Sequence, residues 1–213
     1  MKPKSKKIIS IILTFCIIVS VLSATSINAN ATIINEALVG KTGGTSGDYQ
    51  YEVDEDGYAR IEYYSGTDTN LVIPSTIDGY TVKYLGWEYY FNESITRTPI
   101  TSVTIPDTVT EISPGCFEKL TELTTVNIPN SVKLIGMYAF MGCENLMNVT
   151  IPDGVEVIKK AAFKGCKKIT SVNIPDSVTD IGYDAFYDCN LNYVVLGKNV
   201  TEWGSGAFGG VKA

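Results

Sequence analysis

The chain has 213 residues, 45% of them apolar, with no histidine and a formal net charge of −6 at pH 7. The missing histidine excludes Ser-His-Asp and Cys-His catalysis and removes the commonest transition-metal ligand, so neither a metal site nor a cofactor is expected. The acidic balance argues against nucleic acid or an anionic membrane surface as partner.

The first segment reads as an export signal. Lys2, Lys4, Lys6 and Lys7 form a basic start, and an apolar run from Ile8 to Leu22 follows, interrupted only by Ser10, Thr14 and Ser20. Ala29-Asn30-Ala31 then places small residues where a signal peptidase reads. This predicts a signal peptide over residues 1–31, cleaved after Ala31, and a secreted or cell-surface protein with no membrane insertion once the signal is gone. An uncleaved anchor is the alternative, but the run is about 15 residues and a span needs about 20. A lipoprotein reading at Cys16 is weaker, because bulky Phe15 precedes it and the apolar run continues beyond it. Four of the 17 basic residues and none of the 23 acidic ones lie in the signal, so removing it takes the net charge from −6 to −10.

Residues 32–47 are small, polar and Gly-rich at the end, and read as a flexible lead-in. Residues 48–99 read as an N-terminal cap with an irregular first rung. Within it, Tyr49 to Tyr64 alternates apolar and polar residues on either side of Asp56-Gly57, a strong hairpin signal. Asp54 and Asp56 also suggest a calcium loop, but the remaining oxygen ligands of such a loop are missing. Nine of the 13 tyrosines lie between Tyr49 and Tyr90. They either cover the end of a core or form an exposed patch, for which Trp87, Tyr89 and Tyr90 are the candidates because they sit in an insertion.

From residue 100 the chain repeats. Ile105-Pro106, Ile128-Pro129, Ile151-Pro152 and Ile174-Pro175 recur every 23 residues, and a fifth copy at Leu191 to Gly197 comes 22 residues after the fourth. A fixed period of about 20–30 residues marks a solenoid, whose rungs bury their apolar faces only by stacking. The frame apolar-x-x-apolar-x-apolar ends in a β-branched alternation that predicts a strand, which proline terminates because it has no N–H for the ladder. Asp107, Asn130, Asp153 and Asp176 follow, where an acceptor side chain can close a turn. Each rung continues as Val-x-x-Ile-(Gly)-x-x-Ala-Phe-x-Gly-Cys, read as a short helical turn on the far side that aligns Phe117, Phe140, Phe163, Phe186 and Phe208 in an aromatic spine. Residues 100–213 are thus assigned to repeats of 22–23 residues.

The string "LTTVNIPNSVKLIGMYAFMGC" and its copies resemble the BspA-like class of bacterial leucine-rich repeats, over roughly residues 68 to 213. The resemblance implies a β-rich leucine-rich-repeat solenoid, curved, with parallel strands on its concave face and short helical turns on the other side, here behind an N-terminal β-hairpin cap. It also implies an exported or surface protein, in some members associated with adhesion. The chain is short for that class and stops within a rung, which fits either a fragment or a minimal member.

Three groups of residues are candidates for chemistry. Cys143, Cys166 and Cys189 share one slot with Leu120 and Val211, and Cys116 stands just before Phe117, in the slot that Ala139, Ala162 and Ala185 hold elsewhere. They read as buried free thiols behaving as small hydrophobes, with one inter-rung bridge or a metal as alternatives. The exposed strand positions are Ser102 and Thr104, Thr125 and Asn127, Asn148 and Thr150, Ser171 and Asn173, and Tyr193 and Val195. These rows of hydroxyls and amides either hydrogen-bond a sugar or an extended peptide, or are an ordinary solvated strand face. Asn92, Asn148 and Asn199 fit the glycosylation pattern, which is read as chance. The function expected is a non-catalytic module that binds a protein or polysaccharide partner. The alternative is a spacer or assembly element of a larger surface protein or complex, and the oligomeric state is left open.

Overall fold

The computed structural model describes residues 42–86 and 99–210. The expected signal peptide, Cys16, the sequon at Asn92 and the candidates Trp87, Tyr89 and Tyr90 lie outside the described residues.

The chain is β throughout, with no helix among the described residues. The N-terminal part contributes β1 (Thr42–Ser46), β2 (Tyr49–Val53), β3 (Tyr58–Tyr64), β4 (Asn70–Val72), β5 (Thr76–Ile77) and β6 (Tyr80–Leu85). The repeats contribute β7 (Ser102–Thr104), β8 (Glu111–Ile112), β9 (Thr125–Asn127), β10 (Leu134–Ile135) and β11 (Val157–Ile158). They close with β12 (Ser171–Asn173), β13 (Asp180–Ile181), β14 (Tyr193–Val195) and β15 (Glu202–Trp203).

The rungs supply short strands to two stacks, except that the rung of residues 148–150 supplies none to the front one. The front stack holds β4, β7 and β9 in one sheet and β12 and β14 in another. The side stack runs β1-β2-β3-β6-β8-β10-β11-β13-β15, parallel from β3 onward. The hairpin of β2 and β3 is antiparallel across the Asp54–Gly57 turn, with a bulge at Gln50/Tyr51. Asp54 closes that turn by accepting the Asp56 and Tyr58 amides at 3.1 and 2.8 Å, so its carboxylate serves the backbone.

The third side of each rung corrects the expected helical turn. Around each Phe, i→i+3 bonds such as Ala139 N–H to Gly136 O alternate with bonds to the next rung. The Phe117, Phe140, Phe163 and Phe186 amides each donate at 2.7–2.8 Å to the carbonyl of Ala139, Ala162, Ala185 or Ala207. A helix satisfies its amides internally, whereas here every second one is turned outward to the neighbour. That alternation requires left-handed backbone two residues either side of the Phe, at Tyr138 (φ 61°) and Gly142 (φ 74°), for example. Glycine suits such a site; Tyr138, Ala161 and Asp184 are held there by the ladder.

The spine is continuous. Phe117, Phe140, Phe163 and Phe186 are fully buried, and successive ring centroids lie 5.1–5.6 Å apart out to Phe208. Around it pack the Val and Ile of both stacks and the four repeat cysteines, all buried free thiols. Cys143, Cys166 and Cys189 donate to the carbonyls of Phe117, Phe140 and Phe163 at 3.1–3.2 Å, one rung back. Burial pushes the Cys143 thiol up to about 12 and Cys116 well above its ordinary value. All four fill space in the core, and Cys116 and Cys143 are held in the thiol form.

Two further expectations need amending. Thr42–Ser46, read as part of a flexible lead-in, forms β1 beside β2. Its glycines allow close approach: a Cβ on Gly43 would lie 2.5 Å from the Tyr51 carbonyl. The turn after each Ile-Pro is closed by backbone, not by the Asp or Asn side chain. Val109, Val132, Val155 and Val178 donate to the Pro carbonyls three residues back at 3.0–3.2 Å.

Of the N-terminal tyrosine cluster, Tyr49 to Tyr84 are described and lie in the cap. Tyr51 is buried and donates to Asp78 at 2.8 Å, and Tyr64 is buried and donates to Asp68 at 2.7 Å. Burial, then the Asp78 hydrogen bond, raises the Tyr51 phenol to about 12. Burial, then the Asp68 and Asp48 charges, does the same for Tyr49. A phenol whose folded pKa is raised contributes stability that is complete below its unfolded pKa, about 10. We therefore expect the cap to lose stability as pH rises from about 10 to 12. Tyrosinate absorbance followed beside near-UV circular dichroism checks this; phenol titration centred at pH 10 with the fold intact would contradict it.

Candidate functional site

The front stack brings the predicted strand residues into two rows. Ser102 faces Thr125, and Thr104 faces Asn127, across β7 and β9. Ser171 faces Tyr193, and Asn173 faces Val195, across β12 and β14. The alternation of a strand explains why these side chains share one face while Val103 and Val172 point inward and are buried.

The rows are not continuous. Asn148 meets Thr125 through an isolated bridge, and residues 148–150 form no strand. Asn148 and Thr150 are exposed but outside a ladder. In the same rung Gly154 approaches the Asn130 carbonyl so closely that any Cβ would clash with it. The rows extend further at the other end than the repeat pattern suggested. Asn70 and Val72 on β4 pair with Ser102 and Thr104, and Asn70 Oδ1 accepts from Ser102 Oγ at 2.8 Å.

Chemically the face is neutral. Neither row contains a carboxylate, lysine or arginine, so its polar groups are hydroxyls and amides. Its apolar members stand at the two ends, Val72 at the first rung (65% exposed) and Tyr193 and Val195 at the last (62% and 51%). Among the described residues no group of His, Cys, Asp or Glu is arranged to hold a metal ion.

Charge is concentrated beside this face and on the far side, as pairs between adjacent rungs. Lys198 Nζ lies 2.7 Å from Asp176, Lys167 2.6 Å from Glu144, and Lys164 2.9 Å from Asp184. The Lys198 hydrogen bonds hold the Asp176 carboxyl below its usual range. Such exposed pairs are screened by solvent and contribute little to stability.

Sequence reasoning missed two features. Asp153 stands beside the front rows and its side chain has no hydrogen bond or ion pair among the described residues, whereas Asp176 one rung later is engaged by Lys198. The pattern signal was present, in the acid or amide after each Pro, but was absorbed by the turn reading. Arg60 is the other: its Nη1 donates to the Gly86 carbonyl at 3.0 Å and Ser113 Oγ at 2.8 Å, joining the cap to the repeats. Nothing in a single sequence pairs residues 53 positions apart.

Comparison with known proteins accords with this architecture. A family model described as a BspA type leucine rich repeat region matches residues 88–213 in six copies. A leucine rich cell surface protein from Faecalibacterium prausnitzii is 34% identical, with a TM-score of 0.70, over 80% of this chain and 46% of that one. A leucine-rich repeat protein from Bacteroides ovatus is 26% identical, with a TM-score of 0.56, over 71% of this chain and 46% of that one. The T. pallidum leucine rich repeat protein is 30% identical, with a TM-score of 0.55, over 79% of this chain and 67% of that one. The chain thus spans under half the length of the first two of these structures. No curated protein matches it significantly. With a six-copy family match over more than half its length and a two-stack solenoid to go with it, the chain belongs to the BspA-type leucine-rich repeat family.

Proposed function

We propose that this protein is an exported, non-catalytic binding module that recognises a protein or polysaccharide partner through the front face of its repeats. The observation that carries the reading is the pair of side-chain rows on that face, uncharged, exposed or half-exposed, and set by strand register. An array of hydroxyl and amide groups offers many directional hydrogen bonds to an extended ligand, and Tyr193 adds an aromatic surface. The basic-then-apolar N-terminus, and the cell-surface description of the F. prausnitzii relative, support a position outside the cell. The test is capture on an array of matrix proteins and polysaccharides, with Tyr193→Ala and Trp87→Ala variants alongside. Saturable capture lost in Tyr193→Ala supports the front face. Loss only in Trp87→Ala transfers the site to the aromatic insertion, and no capture by folded protein overturns the reading.

A second reading is favoured by the last described rung. Trp203 pairs with Ile181 in the core-facing register of the side stack, yet is 55% exposed, and Leu196 in the core register of the front stack is 40% exposed. An apolar face of this kind suits a spacer or assembly element stacked on further β structure. Concentration-dependent association in sedimentation velocity would favour it.

A further inference from the structure

Beside the front face, near the last rungs, a shallow cleft of about 510 Å³ is lined by Asp153, Asn173, Pro175, Asp176, Val195 and Leu196, among others. This volume lies within the range of small-ligand sites, roughly 300–1,000 Å³. We propose that the cleft holds one pyranose ring of a neutral glycan. The inference rests on the binding reading above and names its subsite and ligand class.

The lining divides by chemistry. Asp153 is exposed, with both carboxylate oxygens available to accept from a vicinal diol. Asn173 is exposed on β12 and offers an amide donor and acceptor. Asp176 differs from Asp153, because Lys198 binds it through both its backbone amide (2.9 Å) and its Nζ (2.7 Å). Its charge is compensated and its position held, so the cleft carries one free carboxylate. Beside these groups, Val195 and Leu196 are exposed and supply an aliphatic surface for the C–H face of a sugar. Tyr193, two residues before Val195 on the same side of β14, continues that apolar surface for the next ring. A carboxylate, an amide and an apolar wall suit a neutral sugar. The free carboxylate and the acidic chain repel an anionic one.

A peptide is less well served. The directional groups in the cleft are side chains, and the facing edges of β12 and β14, which carry Asn173 and Val195, are already paired with each other. Ser177 also lines the cleft with an unpaired hydroxyl, but Ser131 in the same slot two rungs earlier has one too, so that feature belongs to the repeat and not to the site.

The experiment is titration of the 15N-labelled full chain with cellohexaose and maltohexaose, followed by amide shifts. Asp153→Ala is compared with Asp107→Ala, an exposed acid in the same slot two rungs away, and with Asp153→Asn, which keeps one acceptor. We expect saturable shifts at Asp153, Asn173 and Val195. Affinity should fall at least tenfold in Asp153→Ala and less in Asp153→Asn, and should be unchanged in Asp107→Ala. Shifts centred elsewhere, or equal losses in Asp153→Ala and Asp107→Ala, would overturn the cleft while leaving the binding reading intact. No response to either oligosaccharide, with a protein captured on the array, would overturn the sugar assignment alone. No response and no capture would remove both.

Discussion

Replacing Phe163 by Ala is expected to lower the unfolding free energy by about 3–5 kcal/mol, the range for a fully buried Phe lost from a core that cannot collapse. Phe163 has no exposed surface and lies 5.1 Å from both Phe140 and Phe186, nearly parallel to each. A solenoid rung is held only by its two neighbours, so a cavity in a middle rung weakens two interfaces at once. The ladder bonds through Phe163 N–H and Phe163 O limit how far the backbone can move in to fill the space. Phe208 provides the internal comparison, being stacked on one side only, 5.6 Å from Phe186. Its loss should cost less than half as much. Urea unfolding of both variants decides the matter, and equal midpoints would show that the spine is not the element that couples the rungs.

Arg60→Met is expected to cost about 2 kcal/mol or more, through the cap and not the repeats. The substitution keeps most of the aliphatic bulk but removes the donor shared by the Gly86 carbonyl and Ser113 Oγ. Ser113 is 2% exposed, so its hydroxyl loses a charged partner that water cannot easily replace. The guanidinium also stands 4.7 Å over the Tyr84 ring, a contact worth about 0.5–1 kcal/mol at a partly exposed site. Hydrogen exchange should accelerate in β3 and β6 while β10 to β13 keep their protection. Arg60→Lys should recover part of the loss, since an ammonium can make one of the two bonds. Uniform acceleration along the chain, or none, would contradict a clamp between cap and repeats.

The repeats were legible because their physics is local and periodic. Ile105, Ile128, Ile151 and Ile174 recur at a fixed step, Pro ends each strand, and a large residue repeated once per rung has to stack on its copies. The hairpin at Asp56-Gly57 was readable for the same reason, since turn chemistry is carried by adjacent residues.

What required the tertiary structure was everything set by the distance between rungs. Amides around each Phe turn to the neighbouring rung, so the expected helical turn gives way to a third ladder, and Tyr138 and Ala161 are held at positive φ. Gly43, which in sequence looks like flexibility, permits close packing of β1 on β2. Asp153 and Asp176 are equivalent in the repeat, but only Asp176 has Lys198 opposite it, and that difference creates the one free carboxylate in the cleft. By itself the sequence determined the solenoid, its strand faces and its aromatic spine, because each follows from residue spacing. The tertiary structure decided which polar groups are satisfied and which remain available, because hydrogen-bond partners one rung away are chosen by packing distance.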